Sequence, residues 1–212
     1  MEPLFTERGV FVALEGGEGG GKSTQAERLA GSLRDRGHDV VLTREPGGTD
    51  VGTQLRRIIL DHATGEVSAR TEALIYAADK AEHVDTVVLP ALAAGSVVIT
   101  DRYVDSALAY QGAGRSIDAQ ELELVLRWAT SGLRPHLTVV LDVDPRTGLS
   151  RAGDHDRIEA EPLAFHQRVR EHFLALAAED PQHYLVVPGD EKPDEQAERI
   201  LAAVEPWLGQ ST

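Results

Sequence analysis

The stretch that most constrains this chain is Gly16-Gly17-Glu18-Gly19-Gly20-Gly21-Lys22-Ser23, followed by Thr24. It meets the spacing G-x-x-x-x-G-K-[ST], in which a glycine-rich turn offers backbone amides to phosphate oxygens. Its flanks are the ones such a loop needs: Val10 to Leu14 reads as a short apolar strand leading into the turn, and Lys22 to Arg36 as a helix that Gly37 ends. Glycine lets the backbone wrap an anion and adopt positive φ. The exposed amides and the helix N-terminus then face the phosphates. Lys22 adds a point charge at the β/γ-phosphates, and the Ser23 hydroxyl is placed to ligate Mg²⁺. The stretch predicts a bound nucleoside triphosphate, with Gly16 to Thr24 as its contacts.

Apolar segments recur along the rest of the chain in an alternating order. Strands are expected at 39–43, 96–100, 137–141 and 184–187. Helices are expected at 51–62, with Leu55, Ile58 and Ile59 on one face, and at 69–89, where Pro90 interrupts. A further helix opens at Asp118, whose spacing to Glu121 resembles a capping box, and runs to about Ser131. Asp144-Pro145 reads as an N-cap and first helical position, 162–179 is helical, and a last helix carries Ala197, Ile200, Leu201, Val204, Trp207 and Leu208. Gly112 and Gly114 suggest a loop. This order implies an α/β fold, a five-stranded parallel sheet with helices on both faces. Ligands of such sheets bind at the carboxyl ends of the strands, which here carry the phosphate loop, Arg44-Glu45-Pro46, Asp101-Arg102 and Asp142.

A chain of 212 residues suits one domain, 1–212, and 42% hydrophobic residues can fill its core. No apolar run approaches the roughly 18 residues of a membrane span, and the first residues lack the basic-then-apolar order of a secretory signal. The absence of cysteine excludes disulfides and thiolate metal sites and suits a cytoplasmic protein. A net charge of −14 argues against nucleic acid as a partner. An anionic ligand must therefore be captured by local cations, and Lys22, Arg44, Arg56, Arg57, Lys80, Arg102, Arg115, Arg151 and Arg157 recur around the presumed site. The eight histidines show no ligand spacing and read as surface or capping residues.

Asp101, at a strand end, sits where a second Mg²⁺-associated carboxylate belongs, and Arg102 beside it faces the same mouth. A kinase acting on an anionic acceptor must hold two anions in line and keep water out. A mobile, arginine-bearing lid at about 151–161 answers both needs, although the same arginines would equally pair with Asp154, Asp156 and Glu159 in a solvated loop. Tyr76 and Lys80, four apart, share a helix face. Gln111 carries the donor and acceptor that a base edge requires.

Together these pieces resemble the thymidylate kinase family, part of the P-loop nucleoside monophosphate kinase group. The resemblance runs through Phe11-Val12-Ala13-Leu14-Glu15-Gly16 and the phosphate loop, Thr43-Arg44-Glu45-Pro46-Gly47-Gly48-Thr49, Asp101-Arg102-Tyr103, Ala109-Tyr110-Gln111-Gly112 with Gly114-Arg115, Leu141-Asp142-Val143, and Asp156-Arg157-Ile158-Glu159. It implies phosphorylation of dTMP to dTDP by MgATP, by in-line transfer in a homodimer. It also implies that Arg56 and Arg102 hold the dTMP phosphate and that Glu18 and Tyr103 lie near the sugar 3′-hydroxyl. Tyr76 would stack on thymine, with Lys80, Ser106 and Gln111 around its polar edge. Some members carry a catalytic arginine inside the phosphate loop. This chain has Gly19 there, which implies the bacterial type with a lid arginine, Arg157 or Arg151. Two departures stand out: Lys80 occupies a position where the family usually has arginine, and the lid is short and acidic. The competing readings are a kinase for another phosphorylated acceptor and a nucleotide-binding switch. Asp101-Arg102 and the arginine-bearing segment argue against the switch.

Overall fold

A computed structural model describes residues 8–115, 117–152 and 156–209. Strands β1 (Val10–Glu15), β2 (Val40–Arg44), β3 (Val97–Asp101), β4 (Leu137–Asp142) and β5 (Tyr184–Pro188) form one parallel sheet in the order β2-β3-β1-β4-β5. Every residue of β1 is buried, as expected of a central strand covered on both faces. Its side chains alternate between two cores. Val10, Val12 and Leu14 pack with Leu29 and Leu33 of α1 (Lys22–Asp35) and Ile200 and Val204 of α9 (Pro193–Leu208). Phe11 and Ala13 pack with Ala73 and Ala77 of α3 (Ala69–His83) and Leu122 and Leu126 of α6 (Ala119–Ala129). A third cluster joins Val140 and Tyr110 to Phe165, Val169 and Phe173 of α8 (Leu163–Glu179).

Leu14 and Arg44 both pair with Asp101, so the phosphate loop and the loops after β2 and β3 leave the sheet side by side. Local chemistry fixes the helix starts. Asp118 Oδ1 accepts from the amides of Gln120 and Glu121, and Asp144 Oδ1 accepts from Arg146 and Thr147 at the start of α7 (Pro145–Ala152). Thr49 caps α2 (Asp50–Leu60) through Gly52 N.

Several expectations are corrected. Pro90 does not end the long helix: α3 widens into a π turn over Val84–Val88 and continues as α4 (Leu89–Ala93), with Pro90 in its first turn. Widening moves the carbonyl that the proline ring would strike and needs no proline amide. The stretch through Gly112 and Gly114 is helical too, because α5 (Val104–Ala107) runs on into a π turn over Leu108–Gly114. At Gly114 a Cβ would lie 2.5 Å from the Phe165 ring, so the glycine serves packing and not a loop. Ile58 is exposed while Ile59 is buried, since adjacent helical residues point about 100° apart. His83, His136 and His166 are buried rather than superficial.

Candidate active site

The phosphate loop is pressed between β4 and α7. Gly16 has φ +129°, and a Cβ there would lie 2.4 Å from Leu141 O; at Gly19, φ +63°, it would lie 2.0 Å from Gly148 O. These glycines are required both by conformation and by contact. Lys22 Nζ donates to Gly17 O at 2.6 Å. Burial, with Arg102 adding to it, lowers the Lys22 ammonium to about 8 against the pull of Glu18, Asp101 and Glu15. Ser23 Oγ donates to Asp101 Oδ2 at 2.5 Å, bringing two hard oxygen ligands together at the loop mouth.

Arg102 leaves β3 with φ +72°, uncommon for a side-chain-bearing residue. Its amide donates to Leu14 O at 2.9 Å and its carbonyl accepts from Thr100 Oγ1. The guanidinium donates to Gly16 O and Ser106 Oγ, each at 3.1 Å, and to Glu18 Oε1 at 2.7 Å, and it lies over the Tyr110 ring. Tyr110 Oη donates to the same Glu18 oxygen at 2.7 Å. Burial alone would raise the Glu18 carboxyl, but Arg102, Lys22 and Tyr110 outweigh it and hold it at about 2.

Two clefts open here. One is lined by Glu18 to Thr24, Arg44 and Asp101. The other is lined by Tyr76, Ser106, Tyr110, Gln111, Ile158 and Glu159 among others. Glu18, Glu45, Arg56 and Arg102 line both clefts and so mark their junction.

The family model for thymidylate kinase matches residues 14–200. The chain belongs to the thymidylate kinase family. It is 52% identical over 196 residues to a thymidylate kinase of Clavibacter michiganensis subsp. michiganensis, covering 91% of this chain and 92% of that one. It is 49% identical over 203 residues to one of Synechococcus sp. (strain JA-2-3B'a(2-13)), covering 96% and 98%. Its fold matches a crystal structure of thymidylate kinase from Ehrlichia chaffeensis with TM-score 0.78 at 28% identity, covering 93% of this chain and 99% of that one.

Within the thymidylate kinase fold the expected residues divide. Glu18 to Thr24 and Asp101 line the first cleft. Arg56, Tyr76, Arg102, Ser106 and Gln111 line the second cleft, where Arg56 Nη1 donates to Pro46 O at 3.0 Å. Lys80 reaches the cleft wall, but its ammonium is buried and engaged. Nζ donates to Glu45 Oε2 at 2.5 Å and to Tyr103 O at 2.7 Å, and Glu45 Oε1 meets His83 Nδ1 at 2.7 Å. Tyr103 lies outside the cleft. Its ring packs edge-on against Phe11 and its hydroxyl donates to Leu133 O at 3.2 Å. The tyrosine whose hydroxyl reaches Glu18 is Tyr110.

Arg157 is engaged within the protein. Nε donates to Ile59 O at 2.7 Å, Nη2 donates to Glu72, and the amide donates to Leu60 O. Arg151 is exposed on the last turn of α7, one turn beyond the Gly148 that touches the phosphate loop. Of the proposed lid, residues 153–155 lie outside the described residues. Its remainder from Asp156 forms a turn that Asp156 caps through the amides of Ile158 and Glu159, with Ile158 buried. That part is a wall of the second cleft, not a solvated loop. Asp142 forms a two-pronged pair with Arg170 at 2.6 and 2.9 Å, away from either cleft.

Sequence reasoning passed over three carboxylates and a tyrosine. Glu45 and Tyr110 lay inside stretches already singled out. Glu15, fully buried, accepts from Tyr103 N, Ser106 N and Ser106 Oγ; burial and the nearby Asp105 push it up to about 7. Glu72 gathers Gln111, Arg115 and Arg157.

Proposed function

We propose that this chain carries out the family's reaction, moving the γ-phosphoryl of MgATP onto the phosphate of dTMP to give dTDP for dTTP synthesis, by direct in-line transfer. The observation that carries the reading is the junction of two clefts at Arg56 and Arg102, beside the phosphate loop. The triphosphate lies on Gly16 to Thr24 with Lys22 over its outer phosphates. Ser23 and Asp101 would hold Mg²⁺. Their facing oxygens suit a hard divalent cation, which when bound would supply positive charge against the β/γ oxygens. Arg56 and Arg102 receive the dTMP phosphate, and Glu18 with Tyr110 lies beside the sugar 3′-hydroxyl. Tyr103 supports this group from the core. Tyr76 stacks on the base, and Ser106 and Gln111 meet its polar edge. Lys80 holds the wall behind it through Glu45.

The lid, 151–161 of a single 1–212 domain, supplies the arginine that stabilises the transferred phosphoryl. Arg151 takes that role, since its helix touches the phosphate loop, while Arg157 anchors the acceptor wall. Exposed Leu74 on α3 and Leu124 and Trp128 on the adjoining α6 form the apolar face of a homodimer in the cytoplasm. Among the described residues, no helix is long and apolar enough to cross a membrane.

A coupled ADP-release assay with MgATP tests the function, comparing dTMP, dUMP, dCMP, dGMP, AMP and no acceptor. Turnover should be strongest with dTMP and weaker with dUMP, because a methyl in an apolar pocket discriminates by only about 1–3 kcal/mol. Turnover centred on another acceptor would discard the base-site residues.

A further inference from the structure

We infer that Glu72 sets the hydrogen-bonding polarity of the base pocket by fixing which end of the Gln111 amide meets the acceptor. The inference rests on the dTMP reading and concerns the ring nitrogen at position 3, which carries hydrogen in thymine and uracil and is bare in cytosine.

Gln111 lines the acceptor cleft, and its Nε2 donates to Glu72 Oε1 at 3.1 Å. An ionised carboxylate has no proton to give, so the amide must turn its NH₂ toward Glu72. That leaves Oε1, which has no partner among the described residues, to meet the cleft, and an acceptor there calls for an N–H on the ligand. The imide of thymine or uracil supplies one. Cytosine would set two acceptors against each other away from water.

The surroundings keep the polarity from reversing. Glu72 is fully buried. Arg115 donates to it through Nε at 3.1 Å and Nη2 at 3.4 Å, and Arg157 donates through Nη2. Burial would raise the carboxyl, but hydrogen bonds from Arg115, Arg157 and Gln111 more than offset this and keep it below its ordinary range. Each arginine is braced in turn, Arg115 by Glu161 and the face of Phe165, Arg157 by Ile59 O. A neutral partner at position 72 would permit either orientation of the amide; the charged one permits one. Glu72 is therefore a positioning residue, acting on the base through Gln111. It also ties α3 to the wall formed by Asp156, Ile158 and Glu159.

The test compares kcat/KM for dTMP, dUMP and dCMP in the parent and in Glu72→Gln. A site built to bond a ligand N–H rejects the analogue lacking it by about 10⁴-fold. The dTMP:dCMP ratio should fall at least about tenfold in Glu72→Gln, while dTMP:dUMP stays at the parental value, because the methyl is read elsewhere. A merely structural role would lower all three substrates together and leave both ratios unchanged. Should Glu72→Gln fail to fold with its two arginines unmatched, the double variant Glu72→Gln/Arg115→Gln decides, since it removes one of those arginines with the carboxylate and keeps Gln111; the same fall in dTMP:dCMP is expected. A folded variant with a parental dTMP:dCMP ratio overturns the role of Glu72 alone. A parent enzyme that uses no pyrimidine acceptor overturns the proposed function with it.

Discussion

Lys80 offers a sharp test of how the two catalytic loops are held. Its side chain is 2% exposed and that of Glu45 is 1% exposed, and Nζ joins Glu45, on the loop after β2, to the Tyr103 carbonyl, on the loop after β3. Lys80→Met keeps the length and removes the charge, leaving Glu45 buried with His83 as its remaining side-chain partner. Removing one partner of a buried pair costs about 3–5 kcal/mol, because the other charge stays desolvated. For a chain of this size, at roughly 2–4 °C per kcal/mol, the melting temperature should fall by about 6–20 °C. The double variant Lys80→Met/Glu45→Gln removes the orphaned charge and should recover much of the loss. Guanidinium titration with an unchanged slope, backed by thermal scans, measures both. Because Nζ is turned away from the base, kcat/KM for dTMP and dUMP should drop by the same factor. A single variant within about 1 kcal/mol of the parent, or a double variant no better than the single, would refute the buried-pair reasoning. A loss confined to one base would return Lys80 to the base edge.

Other outcomes follow from the site. Arg151→Ala should lower kcat by about 10³-fold or more, as for other arginines that stabilise a transferring phosphoryl. Arg157→Ala should instead raise the KM for dTMP and lower thermal stability, and steady-state kinetics with melting curves would expose the reverse ranking. Lys22, lowered to about 8 in the free protein, loses its proton as pH rises through that value. The kcat/KM for MgATP should therefore decline above about pH 8, whereas kcat holds to higher pH because bound phosphates retain the proton; initial-rate pH profiles check both. Gly148→Ala would place a Cβ 2.2 Å from Glu18 O and push α7 off the phosphate loop. It should cost about 1–3 kcal/mol in denaturant titrations and raise the KM for ATP.

What could be read from the sequence was what neighbours in the chain decide. The phosphate loop, the strand ends at Asp101 and Arg44, and the caps at Asp118 and Asp144 depend on residues within a few positions of one another. The misplaced residues depend on distant ones. Glu72 collects donors 39, 43 and 85 residues away, and this is what ties Arg157 to α3. Lys80 meets its carboxylate 35 residues back, which no periodicity reveals. Which of Tyr103 and Tyr110 faces Glu18 turns on the left-handed residue Arg102 and on the helix running through Gly112, where glycine spacing suggests a loop. The histidines mislead for the same reason: His83 is buried because Glu45 and Thr43 are brought to its two ring nitrogens.

The most direct test is to follow nucleotide products by chromatography after mixing the protein with MgATP and dTMP. One dTDP should form for each ADP, with negligible ADP when dTMP is omitted. ADP formed at the same rate with or without dTMP, and no dTDP beside it, would contradict transfer across the Arg56–Arg102 junction.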